Sequence, residues 1–181
     1  MQVYLRKVEE ADLELLLAWA HIPEIWKYLP TTRQKEKLLW WDHWRWWKHR
    51  EDRIEYMITV NDGLTGRRRV GVVHYVIVDP FPEVGLYIGE TTLWGEQVGK
   101  DALMMLLEKL APPMYLKVRA VIHPKNKRSI RLFTGLGFHK IEKGRKGQDT
   151  YEFDFRSISR SEIAISFSQG GDRRSYQPSV T

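Results

Sequence analysis

The stretch Trp94-Gly95-Glu96-Gln97-Val98-Gly99-Lys100-Asp101-Ala102 carries the clearest chemical signal in this sequence. An apolar run, Val84-Gly85-Leu86-Tyr87-Ile88-Gly89, precedes it, and Leu103-Met104-Met105-Leu106-Leu107-Glu108-Lys109-Leu110 follows. The pattern reads as strand, tight glycine-bearing turn and amphipathic helix. Such a turn aims several backbone N–H groups at one point, at the positive end of a helix dipole, and that arrangement suits phosphate. A strand–loop–helix cradle of this kind points to a nucleotide-bearing cofactor. The dinucleotide pattern G-x-G-x-x-G and the Walker pattern G-x-x-x-x-G-K-[ST] are both absent from it, and it lies mid-chain, so those two phosphate loops are excluded. A glycine turn alone can also be a plain connector.

The elements that must position this cradle fit a chain of 181 residues, a one-domain length able to bury a core. A formal net charge of +6 fits an anionic ligand and equally fits a merely basic surface. With no cysteine, disulfides, thiolate metal sites and cysteine nucleophiles are excluded together. The start, Met1-Gln2-Val3-Tyr4-Leu5-Arg6, lacks the apolar core of a signal peptide, and no apolar run approaches the roughly 20 residues needed to cross a bilayer. A soluble, cytoplasmic protein is expected, with no membrane partner. The histidines are scattered without ligand spacing, so no metal site is expected.

Along the chain, Val3–Arg6 alternates as a short strand, and Glu9 to Trp19 has helical spacing with Glu9, Glu10 and Asp12 in its first turn. His21-Ile22-Pro23 ends that helix. Thr31 opens a second, running to about Arg50, which holds Trp40, Trp41, Trp44, Trp46 and Trp47. Trp40, Trp44 and Trp47 share one face, which packs on the core or walls an acceptor pocket; Trp46, on the other side, is a candidate for a pocket or a dimer contact. Ile54–Val60, Arg69–Val78 and Glu83–Gly89 read as an antiparallel meander, punctuated by Asn61-Asp62-Gly63 and Asp79-Pro80-Phe81-Pro82. The cradle and its helix follow, stopped by Ala111-Pro112-Pro113. Then come a strand from Met114 to Ile122, a short helix from Lys125 to Phe133 ended by Gly135-Leu136-Gly137, and a closing strand pair, Phe138–Ile141 and Thr150–Phe155, around Gly144-Arg145-Lys146-Gly147. One domain over residues 1–155 is expected, with a serine-rich, disordered tail over 156–181. The fold class is mixed α/β (α+β).

Two motifs together resemble the GNAT superfamily of N-acetyltransferases, over about residues 2 to 155. The first is the family's acyl-CoA loop, Q/R-x-x-G-x-G/A, matched by Trp94-Gly95-Glu96-Gln97-Val98-Gly99. The second is N-x-x-S-x-x-x-F/Y-x-x-x-G-F, matched by Asn126, Ser129, Phe133, Gly137 and Phe138. The early Arg6-Lys7-Val8-Glu9-Glu10-Ala11-Asp12-Leu13 and the Trp94-Gly95 pair are similar to the branch that acetylates ribosomal-protein N-termini and, in related members, amino sugars, aminoglycosides or polyamines. The resemblance implies a mostly antiparallel sheet splayed between its fourth and fifth strands, with helices on both faces. It implies acetyl-CoA as the acetyl donor. Tyr87, Ile88 and Gly89 would hold the pantetheine arm by backbone pairing, and Gly95, Glu96, Gln97, Val98, Gly99 and Lys100, with Trp94 before them, would hold the pyrophosphate. Asn126 would contact the arm, with Ser129 and Phe133 nearby. The backbone N–H of Ile88 or Gly89 would stabilise the oxyanion.

Three departures stand out. Trp94 replaces Gln or Arg. Gln97 replaces the first motif glycine, tolerable only if φ stays below zero, and implies weaker cofactor binding. Phe133 stands where many members carry the Tyr that protonates the leaving thiolate. Acetyl transfer to an amine needs a proton acceptor. By the family's habit Glu83 is the first candidate, against its being an ordinary exposed residue after Pro82; His74, on the neighbouring strand, is the second, against a hydrogen-bonded sheet histidine. Tyr87 and Tyr151 are spare phenols, and Glu90 is a candidate for binding a cationic acceptor.

The expected activity is direct acetyl transfer from acetyl-CoA to a primary amine: a protein N-terminus, an amino sugar or another small amine, with a tryptophan wall favouring a small amine such as a nucleotide-linked sugar. The alternative is a GNAT-like module that binds acyl-CoA without turnover, supported by Gln97 and Phe133. The basic runs Lys125-Asn126-Lys127-Arg128 and Arg67-Arg68-Arg69 are read as solvated charge or cofactor 3′-phosphate contacts, with no nucleic-acid partner. The tryptophan content is compatible with a homodimer.

Overall fold

The computed structural model describes residues 1–28, 49, 51–63, 66–143 and 147–157. The tryptophan-rich helix expected from Thr31 to Arg50, most of the Gly144–Gly147 loop, and the tail from residue 158 onward lie outside the described residues.

The described residues form a seven-stranded sheet. Its strands are β1 (Gln2–Lys7), β2 (Arg53–Asn61), β3 (Arg67–Val76), β4 (Glu83–Ile88), β5 (Lys117–Ile122), β6 (His139–Lys143) and β7 (Asp149–Asp154), in the spatial order β1-β2-β3-β4-β5-β7-β6. Every neighbouring pair is antiparallel except β4 and β5, which run parallel and meet at a single register pair, Glu83 with Arg119. Beyond that pair the two strands diverge, as expected.

Among the described residues four α-helices accompany the sheet: α1 (Leu13–Ala20), α2 (Pro23–Trp26), α3 (Val98–Leu110) and α4 (Lys127–Gly135). In α3, Val98, Gly99, Ala102, Leu103, Leu106, Leu107 and Leu110 are buried, the spacing of one apolar face. That face packs with Ile58, Val60, Val70, Val73, Val84, Val118 and Ala120. The other face of the sheet offers Met57 and Val72 to Leu13, Leu16 and Trp19 of α1. Alternation along the strands explains the division: Met57 and Ile58, or Val72 and Val73, point to opposite sides. The central strands are therefore apolar on both faces, and they read as continuous runs.

Local chemistry sets the turns. Gly63 at φ +82 donates its N–H to the Asn61 side chain at 2.9 Å. β5 begins at Lys117 rather than at Met114, because Met114 and Tyr115 turn back and donate to the Ala111 and Leu110 carbonyls. The expected helix from Glu9 starts instead as a 3₁₀ turn over Glu10–Asp12, and regular helix follows from Leu13. Asp12 is the reason. It is 1% exposed, accepts the Glu9 N–H at 2.9 Å, and takes a two-pronged contact from Arg6 at 2.6 and 2.7 Å and a third from Arg69 at 3.1 Å. It is less a helix-dipole residue than an ionic tie between β1, β3 and α1.

Candidate active site

A β-bulge starts the site. Across β2 and β3, Ile58 pairs with Gly71 and Thr59 with Arg69, leaving Val70 as the extra residue. The Val70 carbonyl accepts two amides from the end of β4, Gly89 at 2.8 Å and Glu90 at 3.1 Å. The expectation that the Gly89 N–H serves as an oxyanion donor is thereby corrected, since Val70 already holds that proton. Antiparallel pairing alternates the side to which the backbone groups point. Gly89 bonds to β3 and the Tyr87 carbonyl lies against Gly71, so Ile88 between them turns its N–H and C=O away from β3, toward the gap beside β5. Of the three residues expected to line the gap with backbone groups, Ile88 alone does so.

Gly89 has a second role. A Cβ built there would stand 2.1 Å from the Trp19 indole, so only glycine lets α1 close onto the end of β4. Trp19 in turn meets Tyr87 edge-on, with ring centroids 6.1 Å apart.

The chain then makes a 3₁₀ turn over Thr91–Leu93 and reaches the cradle. Gly95 takes φ +96, a conformation that favours glycine. Gln97 has φ −68 and ψ −10, right-handed geometry that a side chain adopts without strain, so its replacement of a motif glycine costs the loop nothing in backbone shape. Asp101 is the first residue here to donate to an i−4 carbonyl, that of Gln97, at 2.9 Å. The amides of Val98, Gly99 and Lys100 are thus those a helix's first turn leaves without such partners. Val98 and Gly99 are buried, whereas Gly95, Glu96, Gln97 and Lys100 are exposed. Burial pushes the Asp101 carboxyl up, against the lowering effect of Lys100.

Trp94 does not act as a polar side chain reaching for phosphate. Its Nε1–H donates to the gap-facing Ile88 carbonyl at 2.8 Å, and the Arg128 guanidinium of α4 lies 4.1 Å from its ring centroid. The indole ties the cradle to β4 on one side and to α4 on the other. Asn126 caps α4, its Oδ1 accepting the Ser129 N–H at 3.2 Å, so that oxygen is engaged in the fold. Phe133 is 4% exposed and meets Phe138 edge-to-face at 5.0 Å. It is a core ring, and any effect it has on a ligand passes through the packing of α4. Tyr151 is buried in the same core.

On the sheet face opposite α3, the candidate bases come together. His74 pairs in register with Gly85, and its ring lies across that glycine: a Cβ there would sit 2.8 Å from two ring atoms. Glu83, two residues earlier on β4, shares this face. It is half-buried at the point where β4 and β5 diverge, and its carboxylate makes no hydrogen bond or ion pair with any described residue. Nearby on this face stand Arg119, which stacks over Phe81 at 5.2 Å, and Lys117. Both bind Glu152 of β7, at 3.1 and 2.6 Å. Sequence reasoning passed over Arg119 and Glu152; the available signal was their charge, alternating with Val118, Ala120, Tyr151 and Phe153 in strands otherwise built for the core. Glu90 stands at the other end of β4, 3.7 Å from Arg68. The three arginines of the basic run are held within the fold: Arg67 over Tyr4 at 3.9 Å, Arg68 near Asp62 and Glu90, Arg69 on Asp12.

No helix among the described residues is long and apolar enough to cross a membrane. The acetyltransferase (GNAT) domain family matches residues 2–139. The uncharacterized protein MJ1062 of Methanocaldococcus jannaschii is 39% identical over 152 residues, 83% of this chain, and the chain spans 31% of that relative's length. A crystal structure of a domain from the same organism superposes with a TM-score of 0.78 at 38% identity, over 84% of this chain and 98% of that domain. Two more distant structures share the fold. One is AAC(6')-Ib in complex with paromomycin and acetyl-CoA, with a TM-score of 0.74 at 18% identity over 89% of this chain and 98% of that one. The other is spermidine N-acetyltransferase from Vibrio cholerae in complex with CoA and spermine, with a TM-score of 0.69 at 14% identity over 90% and 98%. With the split between β4 and β5, the helix-end cradle beside it and this family match, the chain belongs to the GNAT acetyltransferase family.

Proposed function

We propose that this chain transfers an acetyl group from acetyl-CoA to a primary amine by direct attack. One observation carries the reading: the sheet opens just past Glu83, and the N-terminus of α3 stands at the far end of the opening, where β4 delivers it. The residues present fit the cofactor. First-turn amides of α3, with Gly95 and the nearby positive charge of Lys100, suit a diphosphate. The outward-facing Ile88 N–H suits an extended arm or a carbonyl oxygen in the gap. The AAC(6')-Ib and spermidine N-acetyltransferase complexes hold acetyl-CoA or CoA on this same fold, together with amine-bearing molecules, which supports an amine acceptor here.

Acetyl-CoA, when bound, supplies the acetyl thioester. The chain's own residues do the remaining work. The cradle amides hold the diphosphate, and the Ile88 N–H donates to the carbonyl oxygen as negative charge develops on it. Glu83, unpaired on the open face, stands about 16 Å along β4 from Ile88 and accepts a proton from the acceptor's ammonium group through intervening water; His74 is the second candidate for that role. Phe133 lies in the core and offers no proton to the leaving thiolate, which departs as the anion of a relatively acidic thiol.

The test is Glu83→Gln assayed against a panel of aminoglycosides, polyamines, amino sugars and peptides with free N-termini. Turnover should fall by about 100-fold or more, while acetyl-CoA affinity stays at the parent value. Unchanged turnover removes Glu83 from the mechanism. Acetyl-CoA binding with no thiol release from any amine would favour the binding-module reading instead.

A further inference from the structure

Strand register places Arg53, Val76, Glu83, Arg119, Glu152 and His139 in a single row across β2, β3, β4, β5, β7 and β6. Residues directly opposed on one face stand about 5 Å apart, close enough for each to choose a neighbour. Arg119 therefore has a carboxylate on either side. It takes one: its Nε lies 3.1 Å from Glu152, and no ion pair reaches Glu83. Lys117 joins the same carboxylate at 2.6 Å and lies 3.7 Å from Asp154.

The choice has a physical cause. Glu152 is 5% exposed, on the sheet face opposite its neighbours Tyr151 and Phe153, and a buried carboxylate is tolerated only with charged partners. Burial pushes its carboxyl up, and Lys117 and Arg119 together outweigh that and hold it down. Glu83, half-buried at the mouth of the gap, can be solvated and has the lesser need. The other charged groups on this face are spoken for or further along it: Arg53 pairs with Glu55 on β2, and His74 lies over Gly85.

We propose that Glu152 is a positioning residue that captures Arg119, so keeping Glu83 free of an ion pair and open to the proton of an incoming amine. The proposal rests on the reading of Glu83 as proton acceptor but concerns only what surrounds it, and its test needs neither acceptor nor turnover. In the full chain carrying 13C-labelled glutamate, the Glu83 carboxyl resonance is assigned from its loss in Glu83→Gln and followed against pH. In Glu152→Gln, Arg119 is released onto Glu83, and the titration midpoint should fall by about one pH unit from that of the parent chain. Arg119→Gln alone should move it by less than half as much. In the double variant Arg119→Gln/Glu152→Gln the midpoint should match that of Arg119→Gln, because without the arginine the loss of Glu152 no longer matters. The proposal is overturned if Glu152→Gln leaves the midpoint in place, or lowers it equally with and without Arg119. Should Glu152→Gln not fold, Arg119→Gln still decides: a rise of a full unit would mean that Arg119 already pairs with Glu83, whereas a small shift keeps the arginine on Glu152.

Discussion

Asp12 shows how one residue can tie three elements. Its burial alone would push the carboxyl up, but Arg6, the Glu9 amide and Arg69 outweigh this and lower it from 3.8 to about 2. A carboxyl depressed in the folded state stabilises the fold above its unfolded value and loses that contribution as pH falls through the folded one. The contribution, about 2 kcal/mol, should be intact above pH 5 and disappear between about pH 4 and pH 2. In Asp12→Asn the acid limb of the stability curve should flatten over that window, and stability at neutral pH should fall by about 2 kcal/mol, the contribution of the ionised carboxylate. Denaturant unfolding at a series of pH values measures both. The sequence alone marked Asp12 only as an acidic residue near a helix start. Its partner Arg69 arrives from β3, and nothing in local spacing announces a contact made through the sheet.

Among the elements, the junction from β4 to α3 is the part that local sequence described best. The glycine at φ +96, the helix start at Val98 and the apolar face of α3 all follow from residue types at short range. What short range could not show is how the junction is braced. Gly89 looked like a backbone donor to the site, and its amide is instead consumed by a bulge on β3 while Trp19 fills the space beside it. Gly89→Ala should therefore destabilise the fold by about 1–3 kcal/mol through overpacking, read as a lower denaturation midpoint. Trp94 likewise holds loop geometry: its indole N–H reaches Ile88 and its ring carries Arg128. Trp94→Phe keeps an aromatic ring but removes the hydrogen bond, and acetyl-CoA affinity should weaken by about 10-fold in calorimetric titration, the scale of one well-made hydrogen bond. An unchanged affinity would separate the indole from the cofactor site.

At the scale of the whole molecule, the order of the seven strands with α1, α3 and α4 was legible because each element's period and its glycine and proline boundaries are local, whereas the short α2 was not expected. The cross-strand row at the fork was not, since register joins residues as distant as Arg53 and His139. The mixed sheet explains why the site is where it is. Six neighbouring pairs make the sheet, and the single parallel one, β4 with β5, is bridged by α3 and barely closed. A crossover returns the chain to the same end of the sheet, so the N-terminus of α3 stands beyond the carboxyl end of β4, next to the unfilled gap. Core packing with α3 covers one face of the sheet; on the other, α1 covers β2 and β3 and leaves the charged residues around the gap outside that apolar layer. The central claim is that this helix end grips a diphosphate and so aims an acyl group along β4 toward Glu83. A crystal structure of the chain with coenzyme A tests it most directly. The account predicts diphosphate oxygens within hydrogen-bond distance of amides between Gly95 and Lys100, with the thiol end of the pantetheine arm beside the Ile88 N–H. A diphosphate bound away from the start of α3, or an arm outside the opening between β4 and β5, would contradict it.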